Sequence, residues 1–130
     1  MVSKISFIIF LLFIISTSFA QSSPQHTFEK YLRALKEADV KTYLSLLTAD
    51  SKKVVRPLKE LMLREYEDLK DLNFYIEVDS SCTATVYFNP PSKKVPPYLL
   101  KKENGEWKVD LKTMSQIYIF DENNNWHYKE

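Results

Sequence analysis

The chain has 130 residues, with 18 Lys and Arg against 17 Asp and Glu, 45% hydrophobic residues and a single cysteine, Cys82. Near-neutral charge with both signs interspersed leaves no basic surface for nucleic acid or an anionic membrane. One cysteine excludes an internal disulfide and a metal site built on paired cysteines, and no motif asks for a cofactor.

Residues 1–20 read as a secretory leader. Lys4 is its basic start, residues 5–15 are an apolar core broken only by Ser6 and too short for a membrane span, and Ser18-Phe19-Ala20 supplies small residues at a cleavage site. The mature chain is expected to begin at Gln21, as one domain over residues 21–130. An uncleaved anchor is the alternative; the polar Gln21-Ser22-Ser23 directly after the small residues speaks against it. Lys4 is the only charge in the leader, so its loss leaves 17 basic against 17 acidic residues. No cysteine follows the leader to take a lipid, and there is no Asn-X-Ser/Thr sequon. Export without disulfides or sequons fits a bacterial periplasmic or secreted protein with no stable membrane anchor after cleavage.

Ser23-Pro24 predicts a helix start, with serine as cap and proline in the first turn. Phe28, Tyr31, Leu32, Leu35 and Ala38 recur at helical spacing, and Asp39 ends this helix and caps a short second one with Val40, Tyr43, Leu44 and Leu47 inward. A third helical pattern carries Leu58, Leu61, Met62, Tyr66, Leu69 and Leu72 as its stripe. Pro57 either starts that helix near Arg56 or kinks one begun near Ser51. Glu65, Glu67, Asp68 and Asp71 form an acidic cluster on it, read as a solvated helix face.

Period two takes over at Asn73. Phe74, Ile76 and Val78 alternate with polar neighbours, as do Cys82, Ala84, Val86 and Phe88, so two strands in a hairpin are expected, with Cys82 as a small buried hydrophobe. Four prolines between Asn89 and Pro97 exclude a strand interior and predict an extended loop. Asn104-Gly105 then marks a two-residue hairpin turn, because both of its positions need φ > 0. The register follows: Glu103 opposite Glu106, Lys102 opposite Trp107 with its stem over the indole, Leu100 opposite Val109, Tyr98 opposite Leu111. Residues 117–120 predict an edge strand, and Trp126-His127-Tyr128 either a tail or a short strand folded back.

Helices followed by antiparallel strands predict an α+β fold, with the N-terminal helices packed on a curved antiparallel sheet of four to five strands. The segments Tyr31-Leu32-Arg33-Ala34-Leu35-Lys36-Glu37-Ala38-Asp39-Val40, Leu46-Leu47-Thr48-Ala49-Asp50 and Lys101-Lys102-Glu103-Asn104-Gly105-Glu106-Trp107-Lys108-Val109 resemble the NTF2-like (cystatin-like cone) superfamily. The resemblance implies a cone-shaped fold and leaves function open, because members include isomerases, dehydratases, transport factors, enzyme subunits and small exported proteins. In the ketosteroid-isomerase-like members, a tyrosine on the first helix stabilises an enolate oxygen and an aspartate before a proline moves the proton. Tyr31 matches the tyrosine, but Val54-Val55-Arg56-Pro57 puts Val55 or Arg56 where the carboxylate belongs, so the proton shuttle lacks its base.

Tyr31, Tyr75, Tyr87 and Trp107 are the candidate lining of an apolar pocket, with packing alone as the competing explanation. Lys93 and Lys94 in the proline loop, with Trp126 and Tyr128, are the candidate partner surface. His26 and His127 have no ligand spacing and suggest no metal. These residues lead to an exported, non-enzymatic binding domain for a small apolar ligand or a protein partner, with assembly as a homodimer through the sheet as a further expectation. An enzyme with a non-standard site around Tyr31, and an envelope inhibitor or immunity-type protein, are the alternatives.

Overall fold

A computed structural model describes residues 23–130. The expected leader, residues 1–20, and its cleavage before Gln21 lie outside the described residues. Helix α1 (Pro24–Glu37) starts as its sequence requires, with the Ser23 hydroxyl accepting from the His26 N–H at 3.0 Å and Pro24 in the first turn. It buries Phe28, Tyr31, Ala34 and Leu35. Ala38 ends it in the left-handed region at φ 50, so the Ala38 and Asp39 N–H groups turn back to the Leu35 and Ala34 carbonyls at 3.1 and 2.9 Å. Asp39 then caps α2 (Val40–Ser45). Its carboxylate accepts from the Thr42 hydroxyl and N–H, and those bonds hold it below the usual carboxyl range.

Pro57 separates two helices, α3 (Ala49–Val54) and α4 (Lys59–Leu69). Val55 and Leu58, on either side of Arg56-Pro57, are extended, and the proline ring disfavours a helical Arg56 between them. The break resets the helical phase, and this corrects the expected stripe. Leu58 and Leu61 are 45% and 42% exposed; Met62 and Leu69 point inward.

Strands β1 (Phe74–Val78), β2 (Thr83–Phe88), β3 (Tyr98–Glu103) and β4 (Glu106–Val109) form an antiparallel sheet in the order β1-β2-β3-β4. Asn104 and Gly105 adopt φ 52 and 79. The hairpin pairs Glu103 with Glu106, Lys102 with Trp107 and Leu100 with Val109, as the turn dictates. The expected pairing of Tyr98 with Leu111 does not form, because Leu111 opens a helix, α5 (Leu111–Ile117). Asp110 caps it, accepting from the Thr113 N–H at 3.1 Å and the Thr113 hydroxyl at 2.7 Å, a local alternative to continuing the strand.

Cys82 is exposed, and so is Val78; neither is the core residue expected. The β1–β2 turn reaches further than the alternation suggests, since the Ser80 hydroxyl accepts from the Cys82 and Thr83 N–H groups and keeps Cys82 out of the strand. At the far end, β5 (Tyr118–Phe120) pairs with β6 (Trp126–Tyr128) in a separate two-stranded sheet. The chain end is therefore a strand folded back, and β5 is not an edge of the main sheet. The proline loop docks on this hairpin: the Trp126 indole donates to the Ser92 carbonyl at 2.8 Å, and the Trp126 N–H to the Lys93 carbonyl at 3.0 Å.

The fold is α+β, with an open four-stranded sheet. Helix α1 packs on β4 and carries α2 and α4, while α5 packs on β3. Phe28, Tyr31, Leu35, Leu47, Val86, Leu100 and Val109 are the centre of the core. The outer edge of β4 is closed by the chain after α2, since the Val109 N–H donates to the Leu46 carbonyl at 2.7 Å and the Thr48 N–H to the Val109 carbonyl at 3.1 Å.

Candidate functional site

Glu65 lies three residues after Met62 and four before Leu69, both buried, so α4 places it on its inward side. Its Oε2 accepts two hydroxyls, that of Tyr31 from α1 and that of Tyr98 from β3, the latter at 2.7 Å. One carboxylate thus joins two helices and a strand. The solvated acidic face expected here is corrected at this position: Glu67, Asp68 and Asp71 are exposed, while the Glu65 carboxylate reaches into the protein. The signal was present in the spacing. Residues 62, 65 and 69 share one helical stripe, and a carboxylate on such a stripe needs buried donors.

Burial raises the Glu65 carboxyl above its ordinary value, against the two tyrosine bonds that favour the charged form; nearby Asp68 raises it further. Burial likewise pushes the Tyr31 and Tyr98 hydroxyls well up, with the Glu65 charge adding to it, so both remain protonated donors. The Tyr43 ring lies 5.6 Å from that of Tyr31, and burial followed by the Glu65 charge pushes its hydroxyl up to about 12.

The same carboxylate borders an open cleft of about 630 Å³. Helix α4 contributes Glu65, Asp68 and Leu69 to one wall. Opposite stand Lys94, Val95 and Pro96 of the proline loop, and Phe120 and Asn124 of the C-terminal hairpin complete the rim. Glu65 Oε1 has no hydrogen-bond partner among the described residues, and Glu65 is one of the residues that line the cleft. The Lys94 ammonium is tethered across the rim by donating to the Asn123 carbonyl.

Of the four aromatics expected around a pocket, Tyr31 alone touches the carboxylate. Trp107 is buried with the Lys102 ammonium 5.6 Å from its ring centroid, and its carbonyl accepts from the Thr27 hydroxyl at 3.2 Å. Tyr75 and Tyr87 stack on each other at 5.5 Å on the other face of the sheet, since Val86 and Phe88 on either side of Tyr87 point into the core. Lys93, Lys94 and Trp126 are brought together where the proline loop meets the hairpin, and Tyr128 packs edge-on against Trp126 at 5.4 Å while remaining exposed. His127 pairs with Asp121 at 2.7 Å. Among the described residues no group of three His, Cys, Asp or Glu stands close enough to hold a metal ion, and no helix is long and apolar enough to cross a membrane. Set against known families, curated proteins and solved structures, the chain gives no match.

Proposed function

We propose that the chain is an exported binding domain of the NTF2-like type, which takes a small molecule with an apolar body in the cleft between α4 and the proline loop. The leader-like residues 1–20 support export, and the order of helices followed by a four-stranded antiparallel sheet supports the NTF2-like type. One observation carries the binding function: a cleft of about 630 Å³ in which Leu69, Val95, Pro96 and Phe120 stand beside two carboxylates, Glu65 and Asp68, and one oxygen of the fixed Glu65 carboxylate has no partner among the described residues. Catalysis centred on Tyr31 has less support. Its hydroxyl is fully buried and already donates to Glu65, and the exposed Arg56, not a carboxylate, precedes Pro57.

Native mass spectrometry of the protein purified from its own compartment tests this. The expected result is extra mass that is lost on denaturation and absent in Asp68→Trp, where an indole on an exposed helix position fills the cleft. Bare wild-type protein overturns the cleft. A protein partner on the C-terminal hairpin is the second reading, favoured by Ile119, Phe120 and Tyr128, all exposed on one small sheet. There, Ile119→Asp with Tyr128→Ser should abolish capture of a partner and leave any cleft ligand in place.

A further inference from the structure

We infer that the cleft selects a primary amine with an apolar body, its ammonium seated on Oε1 of Glu65; this rests on the cleft being a ligand site. Two hydroxyls on Oε2, from separate elements, fix the carboxylate of a residue that lines the cleft, so its remaining oxygen is held in place before any ligand arrives. No cation of the described residues pairs with it. The ion pairs there involve Asp50, Glu67, Glu106 and Asp121, and Lys94 across the cleft donates to the Asn123 carbonyl instead. A carboxylate removed from water without a countercharge is unfavourable, and an incoming ammonium supplies both the charge and the N–H donor that are missing.

The groups facing Glu65 set the sign of the preference. Tyr31, Tyr43 and Tyr98 are neutral, Asp68 adds a second negative charge, and among the described residues that line the cleft Lys94 is the one cation. An anionic ligand would meet two carboxylates. A neutral alcohol would satisfy Oε1 but leave the charge uncompensated. Leu69, Val95, Pro96 and Phe120 supply apolar surface for the body of the molecule.

The probes are n-octylamine, n-octanol, n-octanoate and octyltrimethylammonium in phosphate buffer at pH 7, followed through the amide signals of Leu69, Val95 and Phe120 in ¹H–¹⁵N spectra. Wild-type protein should bind octylamine at least about tenfold more tightly than octanol or octanoate, one decade being the scale of a single good polar contact. Octyltrimethylammonium, which has the charge but no N–H, should bind more weakly than octylamine; this comparison needs no variant. In Glu65→Gln, whose amide oxygen can still accept both hydroxyls, the advantage over octanol should fall to roughly twofold or less. Octanol or octanoate binding as well as octylamine overturns the inference and leaves the cleft standing, as does an amine preference that survives Glu65→Gln. If none of the four probes binds, the cleft falls with it.

Discussion

The β3–β4 hairpin and the junction of α1, α4 and β3 both fasten the sheet to the helices, but by opposite chemistry. The hairpin does it with apolar surface: Trp107 and Val109 are buried against α1, their partners are fixed by a two-residue turn, and the Lys102 ammonium lies over the indole. The junction does it with one carboxylate and two hydroxyls, contributed by residues 33 and 34 positions apart. Apolar packing is tolerant of pH and costly to empty. A buried polar junction is cheap to replace by an isostere, costly to leave half-satisfied, and sensitive to protonation. The hairpin is therefore a structural device, while the junction, whose carboxylate belongs to a residue lining the cleft, has the properties of a site.

The largest effect is expected from emptying the hairpin side. Trp107→Ala removes a buried indole and leaves a cavity beside α1, so a loss of about 3–5 kcal/mol is expected. Urea unfolding should show it as a lower midpoint at unchanged slope, equal at pH 5 and pH 8. A change that varies with pH would mean that the indole is coupled to the carboxylate and that the two regions are not separate.

Next comes the junction. Glu65→Leu leaves the Tyr31 and Tyr98 hydroxyls buried without an acceptor, whereas Glu65→Gln keeps one, so the leucine variant should be less stable than the glutamine variant by about 1–3 kcal/mol. Equal midpoints for the two would remove the hydrogen bonds from the account. Protonation provides the finer test. The folded-state value of Glu65 is raised above its ordinary 4.5, so its favourable contribution is complete below that value and is lost as pH rises through the folded one. Asp39 and Asp121 are lowered and act in the opposite direction, losing their contribution as pH falls. Subtracting Glu65→Gln from wild type cancels the last two. The difference should turn against wild type as pH rises above about 4.5, and a flat difference would show that the carboxylate is not desolvated.

How far each region could be read from the sequence follows from the range of its interactions. The hairpin is local: Asn104-Gly105 sets the register, and the register places Lys102 over Trp107 without reference to anything distant. Helix α5 is equally local, with Asp110 ahead of Leu111, Met114 and Ile117 at helical spacing, but the strand alternation running through Val109 to Leu111 masks it. The junction is different. Tyr31 is identifiable as a buried tyrosine, but its acceptor depends on the phase of α4, which Pro57 resets, and on how α4 lies across α1. A stripe that includes Leu58 and Leu61 hides the one containing Glu65. The proline loop and the C-terminal hairpin, which enclose the cleft, touch only through tertiary contacts such as Trp126 to Ser92, and no periodicity announces those.

The smallest effects come from two left-handed positions that the chain fills differently. Gly105 has φ 79, beyond the band that residues with a Cβ adopt readily, and a Cβ built there meets nothing within 4 Å. Gly105→Ala therefore costs backbone strain alone, about 1 kcal/mol after allowing for the reduced freedom of the unfolded chain. Ala38, at the end of α1, carries the same kind of strain at φ 50, within the ordinary left-handed band, so relieving it yields less. Ala38→Gly should stabilise the protein by about 0.5 kcal/mol, since part of the relief is returned as unfolded-state entropy. Paired thermal melts decide it: the two substitutions should move the midpoint in opposite directions, with the hairpin change the larger. If Ala38→Gly lowers the midpoint, the alanine methyl is making packing contacts that outweigh its strain, and the end of α1 belongs with the tightly packed hairpin side of the molecule.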